Sequence, residues 1–187
     1  MTCIAGIAQH GIVTIAGDSA ASNSAGQQII RGDPKVFQMG EIVFGCTTSY
    51  RMIQLLRYGG PLPPPPEEGD LFAYLVTSVI EALRTRFKEG GFASKKDERE
   101  EGGTFLLGLR GRLFCINDDY QVGETLIGYH AVGSGDDLAL GALFATQHTD
   151  QTREQRLELA LSAAAYHHGE TRAPFAFVST QQNPFSE

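Results

Sequence analysis

Three times along this chain two short apolar runs meet across a turn that carries a glycine. Residues 3–9 and 12–18 flank Gln9-His10-Gly11, residues 35–38 and 42–45 flank Met39-Gly40-Glu41, and residues 104–109 and 112–116 flank Arg110-Gly111. Runs this short, bounded by turn residues, read as the strands of antiparallel hairpins. Elsewhere the apolar period lengthens to that of a helix. Met52, Leu55 and Leu56 share one face of residues 49–58, which end at Gly59-Gly60. Behind Asp70, an N-cap by type and place, Leu71, Tyr74, Leu75, Val79, Ala82, Leu83 and Phe87 trace a long amphipathic helix. Residues 136–145 are small and apolar enough for a tightly packed helix, and residues 152–166 are amphipathic. Residues 122–132 supply one or two short strands and residues 174–178 a closing one. Blocks of paired strands beside two separate pairs of helices predict an α+β protein. The economical arrangement is a four-layer αββα sandwich, two antiparallel sheets face to face between helical layers.

The 187 residues suit one domain, residues 1–187, around a single core. Within it, residues 59–70 hold five prolines between Pro61 and Pro66 and read as an extended surface connection, because proline fixes φ and lacks an N–H. Residues 90–103 mix charges of both signs, including Lys95, Lys96, Asp97 and Glu98, with little apolar content, and read as a charged mobile loop. Residues 180–187 read as a flexible tail.

Charge and composition narrow the functional classes. A formal net charge of −7 without a cluster of Lys and Arg argues against nucleic-acid binding, which draws its affinity from phosphate neutralisation. No apolar stretch approaches the roughly 20 residues that span a bilayer, and the N-terminus lacks a signal peptide's basic start, so no membrane partner and a cytoplasmic location are expected. Cys3, Cys46 and Cys115 are odd in number, widely spaced and set in apolar segments, which suggests buried thiols rather than disulfides or zinc ligands. The chain has no Gly-x-Ser-x-Gly elbow, no phosphate-binding loop with its lysine and no His-Glu-x-x-His. Side chains of the His167-His168 pair would diverge, so a polar end to the last helix is expected there and no metal or cofactor.

The informative feature is positional. Thr2 follows the initiator Met1, and removal of Met1 would leave a hydroxyl and a free α-amine on one residue. An α-amine titrates near about 7.7–8.0, so it can accept the hydroxyl proton at neutral pH. Around it stand Met1-Thr-Cys-Ile, Gly11-Ile-Val-Thr-Ile-Ala-Gly-Asp18, Asp33-Pro-Lys-Val-Phe37, and Ala131-Val-Gly-Ser-Gly135 followed by Ala139-Leu-Gly-Ala-Leu143. In order and approximate spacing, from Thr2 to about Ala145, these motifs resemble those of the proteasome β-subunit and HslV-like family of N-terminal-nucleophile hydrolases. The resemblance implies a threonine-type endopeptidase with Thr2 as nucleophile. It further implies Asp18 as the buried acid, Lys35 as the lysine paired with it, and Ser134 as the serine beside the threonine amine. An ammonium close to Thr2 would lower the pKa values of its hydroxyl and amine.

Two departures stand out. Where the family carries a glycine whose N–H faces the oxyanion, this chain has Thr47 and Thr48; a backbone donor survives that change, whereas the wall of the substrate pocket differs. Near residues 166–170, where the family carries an Asp and a Ser supporting the threonine, no counterpart is assigned. The resemblance also implies peptide or unfolded-protein substrates, a homo-oligomeric ring or related particle, and an ATP-dependent unfoldase as partner. Two alternatives stay open: an amidase of the same fold acting on a small amide, and a non-catalytic structural or assembly subunit.

Overall fold

The computed structural model describes residues 2–22, 27–96 and 99–181. Met1, Asp97, Glu98 and most of the expected tail, residues 182–187, lie outside the described residues. The first hairpin pairs β1 (Cys3–Gln9) with β2 (Ile12–Gly17) around His10-Gly11, both at positive φ. A short ladder of β3 (Ala20–Ser22) and β4 (Gln28–Ile30), which no sequence signal announced, follows it. Next come β5 (Val36–Met39) and β6 (Ile42–Cys46), then β9 (Phe105–Leu109) and β10 (Arg112–Ile116). β11 (Val122–Glu124), β12 (Tyr129–Gly133) and β13 (Ala176–Ser179) complete the two main sheets. One sheet runs β12-β1-β2-β13 and the other β11-β10-β9-β6-β5, antiparallel throughout.

Helices cover the outer faces, as an αββα sandwich requires. α1 (Tyr50–Tyr58) is capped by Ser49, whose hydroxyl accepts the Arg51 N–H. Asp70 caps α2 (Leu71–Tyr74), which passes through one π-helical turn at Leu75–Val79 into α3 (Ile80–Glu89). These helices pack Met52, Leu56, Leu75, Leu83 and Phe87 against Phe44, Phe105 and Phe114 of the five-stranded sheet. On the other side α4 (Asp136–Ala145) and α5 (Arg153–His167) pack Leu143, Leu157 and Leu161 against Cys3, Ala5 and Ile7. The third cluster, Ile4, Val13, Ile15, Val43, Leu106 and Leu113, lies between the sheets. Each such side chain stabilises the fold by about 1.5–3 kcal/mol when fully buried. Leu106→Ala would open a cavity there at a cost of about 2–5 kcal/mol.

The proline-rich connection is pinned: Tyr74 donates its hydroxyl to the Pro63 carbonyl, and Arg86 and Arg110 donate to the carbonyls of Pro61 and Pro66. The charged segment differs from the loop expected of it, since β7 (Ser94–Lys96) pairs with β8 (Arg99–Glu101). Arg84 on α3 holds this ladder through Glu100 at 2.7 Å, so long-range pairing supplies what the apolar pattern did not. His167 ends α5 and His168 is its C-cap. Among the described residues no helix is long and apolar enough to cross a membrane.

Candidate active site

The register of the first hairpin sets Ile4 opposite Gly17, so the start of the chain and the end of β2 lie side by side. Asp18 follows directly, and its N–H reaches the Cys3 carbonyl at 3.3 Å. Lys35 arrives from the other sheet, one residue before β5, with its carbonyl held by the Cys46 N–H at 2.9 Å. The sheets approach closely here because Gly17 lacks a side chain; a Cβ on it would stand 3.1 Å from Cγ1 of Val36 on β5.

The three side chains meet in a nearly dry pocket. The Lys35 ammonium donates to Asp18 Oδ1 at 2.7 Å and to Thr2 Oγ1 at 2.5 Å. Asp18 is itself held by backbone donors: Oδ1 accepts from Cys3 N–H at 3.1 Å, and Oδ2 from Ala20 and Arg172 N–H at 3.0 and 3.4 Å. Residue exposures are 6% for Thr2, 1% for Asp18 and 2% for Lys35. Burial lowers the Lys35 pKa from its ordinary value, because removing water disfavours the charged form; the facing Asp18 carboxylate offsets part of this.

Ser134 completes the group. Its hydroxyl accepts the Thr2 N–H at 3.3 Å and donates to the Thr2 carbonyl at 3.4 Å. It does not cap α4, whose N-cap is Gly135 with no side-chain hydrogen bond, so the Gly-Ser-Gly run serves Thr2 instead. Gly133 makes this contact geometrically feasible. Its φ is +107°, and a Cβ there would stand 2.2 Å from the Thr2 carbonyl oxygen.

Thr47 and Thr48 line a cleft beside Thr2. Thr47 gives both its N–H and its hydroxyl to the Thr104 carbonyl, at 3.1 and 2.7 Å, while Thr48 Oγ1 accepts the Thr104 N–H at 3.1 Å. Thr48 has φ +58°, a left-handed conformation that costs a β-branched residue strain. No acceptor among the described residues takes the Thr48 N–H.

The adjacent Cys3 thiol is buried among these groups. Burial pushes the Cys3 pKa up to about 12, with Asp18 adding to the effect, so the sulfur stays protonated at neutral pH. Thr171 was missed in the sequence. Its hydroxyl is buried with no hydrogen-bond partner among the described residues and packs beside Gly135, in a loop that also hydrogen-bonds Asp18 and Ser19 through the backbone of Arg172. No local pattern marks it, because Gly135, beside which it packs, lies 36 residues earlier in the chain.

Two antiparallel sheets stacked between helical layers, with a threonine just before the first strand, form the fold of the proteasome-type N-terminal-nucleophile hydrolases. The chain is similar to the solved structure of Thiobacillus denitrificans BPH in complex with epoxomicin, at 20% identity over 98% of this chain and 100% of that one, with a TM-score of 0.78. It is similar also to eukaryotic HslV from Trypanosoma brucei, at 16% identity over 95% and 98% of the two chains, with a TM-score of 0.70. A third likeness is to an Anbu (Gly-1) mutant from Hyphomicrobium sp. strain MC1, at 13% identity over 98% and 84%, with a TM-score of 0.67. No family model and no curated protein matches the sequence.

Proposed function

We propose that the chain is a threonine-type endopeptidase whose nucleophile is the Thr2 hydroxyl once Met1 has been removed. The observation that carries this reading is the hydrogen bond from the Lys35 ammonium to Thr2 Oγ1 inside a buried ion pair. In the reaction, Oγ1 attacks the peptide carbonyl carbon while the freed Thr2 amine takes its proton. Lys35 stabilises charge building on Oγ1, and Asp18 keeps the ammonium charged and in place. The carbonyl oxygen, now an oxyanion, is met by the Thr48 N–H. Collapse breaks the C–N bond as the Thr2 ammonium returns its proton to the leaving amine. Water then attacks the ester, with the same amine as base, and releases the second product. The Ser134 hydroxyl, bonded to the Thr2 nitrogen, orients that amine.

The substrates in this reading are peptides or unfolded proteins. A homo-oligomeric ring or related particle, an ATP-driven unfoldase as partner and a cytoplasmic location belong to the same proposal. The solved BPH structure holds epoxomicin, which recommends that epoxyketone as a probe, alongside a β-lactone. Intact-mass measurement should show loss of Met1 and one adduct on wild type, absent from Thr2→Ala. A protein that keeps Met1, or has lost it and forms no Thr2-dependent adduct, is not this enzyme and fits the non-catalytic alternative. Adducts with turnover of small amides but not of peptides would favour the amidase.

A further inference from the structure

The cleft beside Thr2 is small, about 80 Å³ against the roughly 300–1,000 Å³ of ordinary ligand pockets. Ala20 and Ala21 form one wall, Cys46 and Thr47 line it near Thr2, and Tyr50 and Ile53 come from α1. Tyr50 is the bulkiest of these, and its ring has a cation against one face. The Arg31 guanidinium lies over it, 4.0 Å from the ring centroid, and Arg31 is locked by two 2.7 Å hydrogen bonds to Asp33. The Lys35 ammonium stands 5.9 Å from the same centroid. An aromatic ring stacked under a guanidinium gains cation–π attraction of about 0.5–1 kcal/mol, which favours the observed rotamer. The Tyr50 hydroxyl is buried and has no hydrogen-bond partner among the described residues.

Charge in the cleft is already spoken for. Lys35 is the charged residue among the described lining, and Asp18 neutralises it; Arg31, behind the ring, has Asp33. A charged side chain entering here would lose water without finding an unpaired counter-ion.

We propose that Tyr50, clamped by Arg31 and Asp33, is the residue that sets substrate choice: the cleft takes a small, uncharged side chain on the acyl side of the scissile bond and rejects aromatic and charged ones. This rests on the peptidase reading above, because the residue whose carbonyl Thr2 attacks is the one whose side chain enters the adjoining cleft. Size discrimination then resides in the ring, and its hydroxyl is dispensable for it.

The test compares fluorogenic peptides that differ only in the residue before the cleaved bond, Ala, Val, Phe, Asp or Lys. It uses the wild-type protein freed of Met1, Tyr50→Ala and Tyr50→Phe. Wild type should favour Ala or Val over Phe by about tenfold or more in kcat/KM, a discrimination within the reach of a tight apolar pocket. Tyr50→Ala should shift that ratio toward Phe by about tenfold, and Tyr50→Phe should leave it within about threefold of wild type. Ratios within one variant cancel any loss of folded protein. A wild-type preference for Phe, Asp or Lys overturns the proposal, as does an unchanged ratio in Tyr50→Ala. If the β-lactone leaves no Thr2-dependent adduct, the peptidase reading falls and takes this one with it; an adduct with a flat substrate profile overturns this one alone.

Discussion

The Lys35 ammonium and the Asp18 carboxylate meet at 2.7 Å with side-chain exposures of 2% and 0%. Burying two charges costs several kcal/mol each, and the pair is tolerable because its atoms are also hydrogen-bonded: Asp18 by the backbone N–H groups of Cys3, Ala20 and Arg172, Lys35 by Thr2. Removing one member therefore exposes the cost that the other no longer offsets.

Asp18→Ala should destabilise the fold by about 3–5 kcal/mol, since it strands a buried ammonium and the N–H groups of Cys3 and Ala20. The double variant Asp18→Asn with Lys35→Met should recover part of that loss, as no lone charge remains. Chemical denaturation measures both. A cost below about 1 kcal/mol for the single variant would show that water reaches the site.

The depressed Lys35 pKa gives a signed pH dependence. Between its folded value and the ordinary 10.5, the unfolded chain binds a proton that the folded chain does not, so this residue makes stability rise with pH through that window. Lys35→Met should remove that contribution. Reactivity runs the other way: Thr2 labelling needs the ammonium and should fall on an alkaline limb centred below 10.5. Labelling rates across neutral to alkaline pH, corrected for probe hydrolysis, decide it. A limb at or above the ordinary lysine value would contradict the geometry.

Gly133→Ala tests the close approach at Thr2. The new Cβ meets the Thr2 carbonyl oxygen at 2.2 Å and must adopt a φ of +107°. A loss of about 1–3 kcal/mol is expected from backbone strain, and loss of labelling from displacement of Thr2. Thermal unfolding and probe mass spectrometry read the two effects separately.

Thr48→Gly separates backbone from side chain at the position proposed to meet the oxyanion. Glycine relieves the left-handed strain, worth about 1–2 kcal/mol, but adds chain entropy and loses the hydroxyl that accepts Thr104 N–H. Stability should stay within about 1 kcal/mol of wild type, and labelling should persist because the N–H remains. A labelling rate that collapses in a folded Thr48→Gly protein would assign the role to the side chain instead.

The layered architecture was legible because the three main hairpins carry their own turn glycines and most of the helices an apolar stripe, so those strand and helix choices are local. Ser49, Asp70 and Thr152 act as N-caps through hydrogen bonds to residues two or three positions on. Thr2, Asp18, Lys35 and Ser134 were readable only because several motifs recur at family spacing, and the fold brings these four together. The β3–β4 and β7–β8 ladders were not readable, since strands of three residues are too short to show alternation and those of the second ladder are almost wholly charged. The buried Thr171 hydroxyl, the left-handed Thr48 and the Arg31 guanidinium over Tyr50 are products of contact between distant segments. The chain by itself determined which residues could do chemistry and which elements carry them. Packing the two sheets decided which of those residues meet, because burial, a dry ion pair and a shaped cleft exist only where remote parts of the chain exclude water together.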